Sequence, residues 1–191
     1  MTWGQGDLMR LRNLLLGATT AVTLALPVNA SQSVAVAGAS TPATCRSVAL
    51  MPTVGHLGAA SGTAYQALLI TNHASRACTL SGTPSTQFGN FVRSGGLLVF
   101  RAVGPAAKKL NFADRGKTIV LKRGAVASVT VGIETAANAP SSMCGHVANA
   151  SRVRLVFRSG AELYYTLRTF AVCTKLASTL TSGVVLGRRF P

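Results

Sequence analysis

From Cys45 onward the chain is a succession of short apolar runs broken by Gly, Pro, Asn and Ser, without the three-and-four spacing of an amphipathic helix. Tyr65 to Thr71 reads as a strand that stops at Asn72. Leu97 to Val103 reads as another, entered from the turn signal Ser94-Gly95-Gly96. Thr118 to Leu121 leads through Lys122-Arg123-Gly124 into a run where Ala127, Val129, Val131 and Ile133 alternate with Ser128, Thr130 and Gly132. One face of that run is apolar and the other mild, and Gly124 is placed as the permissive residue of a hairpin between the two strands. Val153, Leu155 and Phe157 alternate with Arg152, Arg154 and Arg158, and Ser159-Gly160 then turns the chain into Leu163, Tyr165 and Leu167, a second hairpin. Val184 to Leu186 closes the sheet, and helix is confined to short turns around Ala136 to Ala148. The pattern predicts one all-β domain, an antiparallel sandwich or barrel of about seven to nine strands.

The start of the chain has a different texture. Arg10 and Arg12 precede an apolar run from Leu14 to Leu26, shorter than the ~20 residues a membrane span needs. Pro27 and then Val28-Asn29-Ala30 supply a small-x-Ala cleavage pattern, with Ala35-Val36-Ala37 as a second candidate. Residues 1–30 are therefore expected to be a Sec-type signal peptide, with Met9 as a possible true start. Ser31 to Thr44 is a flexible Ala/Ser/Thr-rich lead-in, and residues 45–191 form the domain. Cys45 lacks the residues of a lipobox, and no later stretch is long and apolar enough to span a bilayer. The expectation is a secreted or envelope-associated protein with no transmembrane segment in the mature chain.

Export changes the meaning of the cysteines. Cys45, Cys78, Cys144 and Cys173 are even in number and would enter an oxidising compartment. Three connectivities are possible; Cys45–Cys78 with Cys144–Cys173 is favoured because each closes a short loop around a strand pair. Zinc is the competing reading, but Cys144-x-His146 is all there is, without a Cys-x-x-Cys pair. No metal and no cofactor is expected.

The run Leu69-Ile70-Thr71-Asn72, followed by Arg76-Ala77-Cys78-Thr79-Leu80-Ser81-Gly82-Thr83-Pro84, resembles a signature of the secreted actinobacterial family called domain of unknown function 4232. Members commonly show a strand ending in Thr-Asn, then Cys-Thr-Leu-x-Gly-x-Pro. A later Leu-x-x-Gly-x-x-Ala element is matched by Leu121 to Ala127, and Cys45 ahead of Gly55, Gly58 and Gly62 fits the family's first Cys and Gly-rich segment. Arg123 stands where Pro is frequent, and Thr83 where an aromatic residue is frequent. The resemblance covers roughly residues 45 to 186 and implies an exported immunoglobulin-like antiparallel β-sandwich. It implies no activity. With Trp3 lost along with residues 1–30, the mature domain is expected to have no Trp, so the likeness to antibody domains is one of layout.

Charge narrows the function classes. Nineteen Lys and Arg face four acids, Asp7, Asp114, Glu134 and Glu162, for a formal net charge of +15. Losing Arg10, Arg12 and Asp7 with the signal peptide lowers that by one, to +14. Paired-carboxylate hydrolysis and hard-metal sites both need acids this chain lacks. His73, Ser75 and Cys78 sit close in sequence, but Cys78 is expected to be oxidised and no acid is placed beside His73. There is no Gly-x-Ser-x-Gly elbow either. The chain is thus expected to be non-catalytic, the alternatives being a secreted hydrolase using His73 or His146 or a purely structural domain. Arg152, Arg154 and Arg158 on one strand face, with Lys108, Lys109, Lys122 and Arg123 around two loops and a strand, are the candidate anion-binding residues. Arg115, Lys117, Arg188 and Arg189 add to the charge, and Phe112, Tyr164 and Tyr165 are nearby aromatics, although Tyr165 is assigned to the core. No nucleic-acid motif is present, so no specific nucleic acid is expected. The expected partners are anionic envelope polymers, lipid head groups or other polyanions.

Overall fold

The computed structural model describes residues 41–110, 116–134 and 139–188. A 3-10 turn over Ser47–Ala49 leads into β1 (Leu50–Ala60) and β2 (Thr63–Asn72). Then come β3 (Cys78–Leu80), β4 (Ser85–Ser94), β5 (Leu97–Ala102), β6 (Lys108–Leu110), β7 (Ile119–Leu121) and β8 (Val126–Glu134). A one-turn helix, α1 (Ser141–Cys144), precedes β9 (Val147–Val156), β10 (Glu162–Cys173), β11 (Thr179–Ser182) and β12 (Val185–Leu186). One sheet runs β1-β2-β8-β11-β6 with β12 beside β8; the other runs β10-β9-β4-β5; β3 and β7 form a separate ladder. Every ladder between these strands is antiparallel except β11 with β6. The chain forms the expected all-β sandwich.

The core follows from the alternation. Leu68 and Ile70 of β2, Val129 and Val131 of β8, and Val153 and Leu155 of β9 are fully buried and belong to one cluster with Phe88 and Leu121. Two hydrogen bonds tie the sheets together through that core. The Thr86 hydroxyl of β4 donates to Thr181 of β11 at 2.9 Å, and the Tyr165 hydroxyl of β10 donates to the Leu69 carbonyl of β2 at 3.1 Å. Burial pushes the Tyr165 phenol far up from its ordinary value, so it stays protonated and donating.

Three features differ from the sequence reading. The described residues hold twelve strands rather than seven to nine. The extra ones include β1, whose Pro52, Gly55 and Gly58 hide it from propensity arguments. Its register slips between Val54 and Leu57, and the buried Gln66 amide answers the slip by donating to the Gly55 and His56 carbonyls at 2.8 and 3.0 Å. Second, β7 and β8 are not a hairpin, because β7 pairs with β3 whereas β8 pairs with β2, β11 and β12. Gly124, at φ 71°, turns the chain between sheets and donates its N–H to the Asn72 carbonyl at 2.8 Å. Third, Arg158 lies beyond the end of β9, in the Phe157–Gly160 turn, and does not share a strand face with Arg152 and Arg154.

Candidate anion-contacting residues

Asn72 organises one end of the sandwich. Its side chain is fully buried, and its amide donates to the Arg76 carbonyl at 2.9 Å and the Leu121 carbonyl at 2.8 Å. Its Oδ1 accepts from the Ala74 N–H at 2.9 Å, closing the local turn that an Asn after a strand favours. Its backbone accepts from Gly124 and donates to Ala125. One side chain therefore fixes the turn after β2, which carries Arg76, against the turn after β7, which carries Lys122 and Arg123.

Other cationic residues share that end. Arg46 follows Cys45 and lines a shallow cleft of about 290 Å³ with Ser47, Val48 and Ser159 to Ala161, the turn that carries Arg158. Arg188 follows Gly187, whose N–H donates to the Val126 carbonyl at the start of β8. Arg46, Arg76, Lys122, Arg123, Arg158 and Arg188 are all solvent-exposed.

The remaining candidates lie elsewhere. Lys108 and Lys109 are exposed on the edge strand β6. Arg152 and Arg154 are half-buried on the outer face of the second sheet, over a cluster of Phe91, Phe100 and Tyr164 rings with centroids 5.2–6.0 Å apart. The Arg152 guanidinium sits 5.7 Å from the Phe91 centroid and that of Arg154 5.9 Å from Phe100. Arg154 is also ion-paired with Glu162, and Glu162 accepts from the Tyr164 hydroxyl. Partial burial, then the Glu162 hydrogen bond and charge, raise the Tyr164 phenol above its ordinary value. Arg154 is thus committed to a partner inside the chain. The seven sequence candidates do not form one patch, and the exposed Arg46 and Arg76 were missed because their proximity to Arg158 and Lys122 depends on contacts distant in sequence.

The histidines can be placed too. His73 is exposed in the turn after β2, and its backbone N–H donates to Ala49. Glu134 lies at the far end of β8 from that turn, roughly 25 Å away at the usual rise of a strand. His146 is exposed, with its backbone N–H on the Thr174 hydroxyl. Phe112, Asp114, Arg115 and Arg189, together with the predicted signal peptide, lie outside the described residues. Among the described residues no group of three or more His, Cys, Asp or Glu gathers as metal ligands, and no helix is long and apolar enough to cross a membrane.

Both expected disulfides are present. Cys45–Cys78 ties the segment before β1 to β3 and encloses the β1–β2 hairpin; Cys144–Cys173 ties α1 to the end of β10 and encloses β9 and most of β10. The molecule is a disulfide-stapled all-β sandwich. The chain belongs to the family described as Domain of unknown function (DUF4232), which matches residues 45–181. Comparison with curated proteins finds no match, and comparison with solved structures finds none.

Proposed function

We propose that this protein is an exported, non-catalytic binding module that contacts anionic polymers of the cell envelope, or other polyanions, through the loops around Asn72. The observation that carries this reading is the placement of Arg46, Arg76, Lys122, Arg123, Arg158 and Arg188 at one end. Glu162, the described acid nearest them in the fold, is already engaged by Arg154 and Tyr164. Guanidinium forks suit phosphate and carboxylate groups, and clustered cations gain from counterion release when a polyanion binds. Paired disulfides suit an oxidising compartment, which supports export.

Retention on immobilised anionic polymer, measured against salt, tests the proposal. The wild-type protein should be retained at low salt and released steeply as salt rises. The triple variant Arg76→Gln, Lys122→Gln, Arg123→Gln should lower the salt slope by about 2–3, while Lys108→Gln with Lys109→Gln leaves it nearly unchanged. Equal loss from the two variants would reduce the effect to net charge. No retention by the wild type would leave the domain a structural one.

A further inference from the structure

Exposed sheet edges invite a new strand, and proteins blunt them with Pro, Lys, bulges or short length. Of the four strands that end the two main sheet orders among the described residues, three are blunted. β1 carries Pro52 and a register shift, β6 is three residues long with two lysines, and β10 has a register shift between Thr166 and Phe170. The fourth, β5, is six residues of Leu-Leu-Val-Phe-Arg-Ala, regular against β4 throughout, with no strand on its other side among the described residues. It has no Pro and no Lys. Leu97, Leu98 and Val99 are 71%, 66% and 45% exposed, so this edge offers both free backbone groups and apolar side chains.

Charge decides what fits. Arg101 lies on β5 itself, exposed, and projects from the opposite face of the sheet to Leu98 and Phe100. Of the two described acids, Glu134 lies in the other sheet and Glu162 is held by Arg154 across β9. A strand that complements this edge alternates apolar residues with carboxylates. This chain has no such segment, because its four acids are isolated, and a second copy of β5 would bring another Arg101. We propose that the outer edge of β5 receives an extended, carboxylate-bearing segment of a different polypeptide as a fifth strand of this sheet. The ladder supplies affinity, and Leu98, Phe100 and Arg101 select the side chains. The proposal is independent of the cationic loops at the other site, and the two can fail separately.

The probe is a fluorescent eight-residue peptide alternating Val and Glu, added to the oxidised wild-type protein and followed by anisotropy and by hydrogen exchange. Binding should slow exchange in residues 97–102. Because alternate residues of an added strand face its neighbour, N-methylating all the Val nitrogens or all the Glu nitrogens should have unequal effects. One pattern should weaken binding by about tenfold or more and the other far less. Neither change alters the charge of the probe. Absence of binding, or equal binding by the parent and both methylated peptides, overturns the proposal. Protection of residues 97–102 by self-association without peptide would assign the edge to a second copy and overturn it as well.

Discussion

Replacing Asn72 with Ala removes three side-chain hydrogen bonds and leaves their partners behind. The Ala74 N–H and the Leu121 and Arg76 carbonyls lose the groups that satisfied them at 2.8–2.9 Å. The Leu121 bond is the buried one of the three, whereas those to Arg76 and Ala74 lie where solvent has partial access. An orphaned buried polar group costs about 1–3 kcal/mol, and a bond near water costs about 0.5–1.5 kcal/mol. The expected loss is about 2–6 kcal/mol, a large share of the ~5–15 kcal/mol stability of an ordinary domain. Asn72→Asp is the sharper variant. It keeps the shape and the acceptor for Ala74 but sets a carboxylate against two carbonyls where an amide donated. At neutral pH it should be at least as damaging as Ala. Its folded pKa must rise above the usual carboxylate value, so the deficit shrinks as pH falls through that raised pKa and the acid becomes a donor. Urea denaturation of the oxidised protein at pH 7 and pH 4.5 measures both. A loss below about 1 kcal/mol for Asn72→Ala would refute the idea that this side chain joins the two turns.

The other predictions concern separate parts of the fold. Removing Cys45–Cys78, which spans 33 residues, or Cys144–Cys173, which spans 29, should each cost about 3.5–4 kcal/mol on the chain-entropy estimate, read from the denaturation midpoint of double Ala variants. Gly89→Ala should cost about 1–3 kcal/mol, since an added Cβ meets the Phe100 ring at 2.8 Å and also the Arg101 carbonyl; near-UV circular dichroism should report the displaced ring. Tyr165 is protonated when folded and free to ionise when unfolded, so its raised pKa contributes stability that is complete below about pH 10 and falls above it by about 1.4 kcal/mol per unit. Tyr165→Phe should lose about 1 kcal/mol at neutral pH with the Leu69 bond and flatten the alkaline decline. An unchanged alkaline slope would assign that decline to other groups.

The alternation of Ala127 to Ile133 and of Val153 to Phe157 determined the strands β8 and β9 and the apolar face each turns to the core, but not that the Ser128–Thr130 face of β8 is buried as well, which depends on its neighbours in the tertiary structure. The even cysteines with short loops favoured one disulfide pairing of three, and the structure decided it. Asn72 was legible as a turn residue, since its side chain satisfies the Ala74 N–H locally. Its larger role was not legible, because the Leu121 carbonyl it also binds lies 49 residues away. The same limit hid β1, where a buried Gln66 from the neighbouring strand makes a Gly- and Pro-bearing segment viable. It also hid the separation of β7 from β8, which look like a hairpin until their partners are known. Composition established that the chain is cationic. Which cations meet, and which one is already occupied by Glu162, depended on contacts between distant segments, and local pattern carries no information about those.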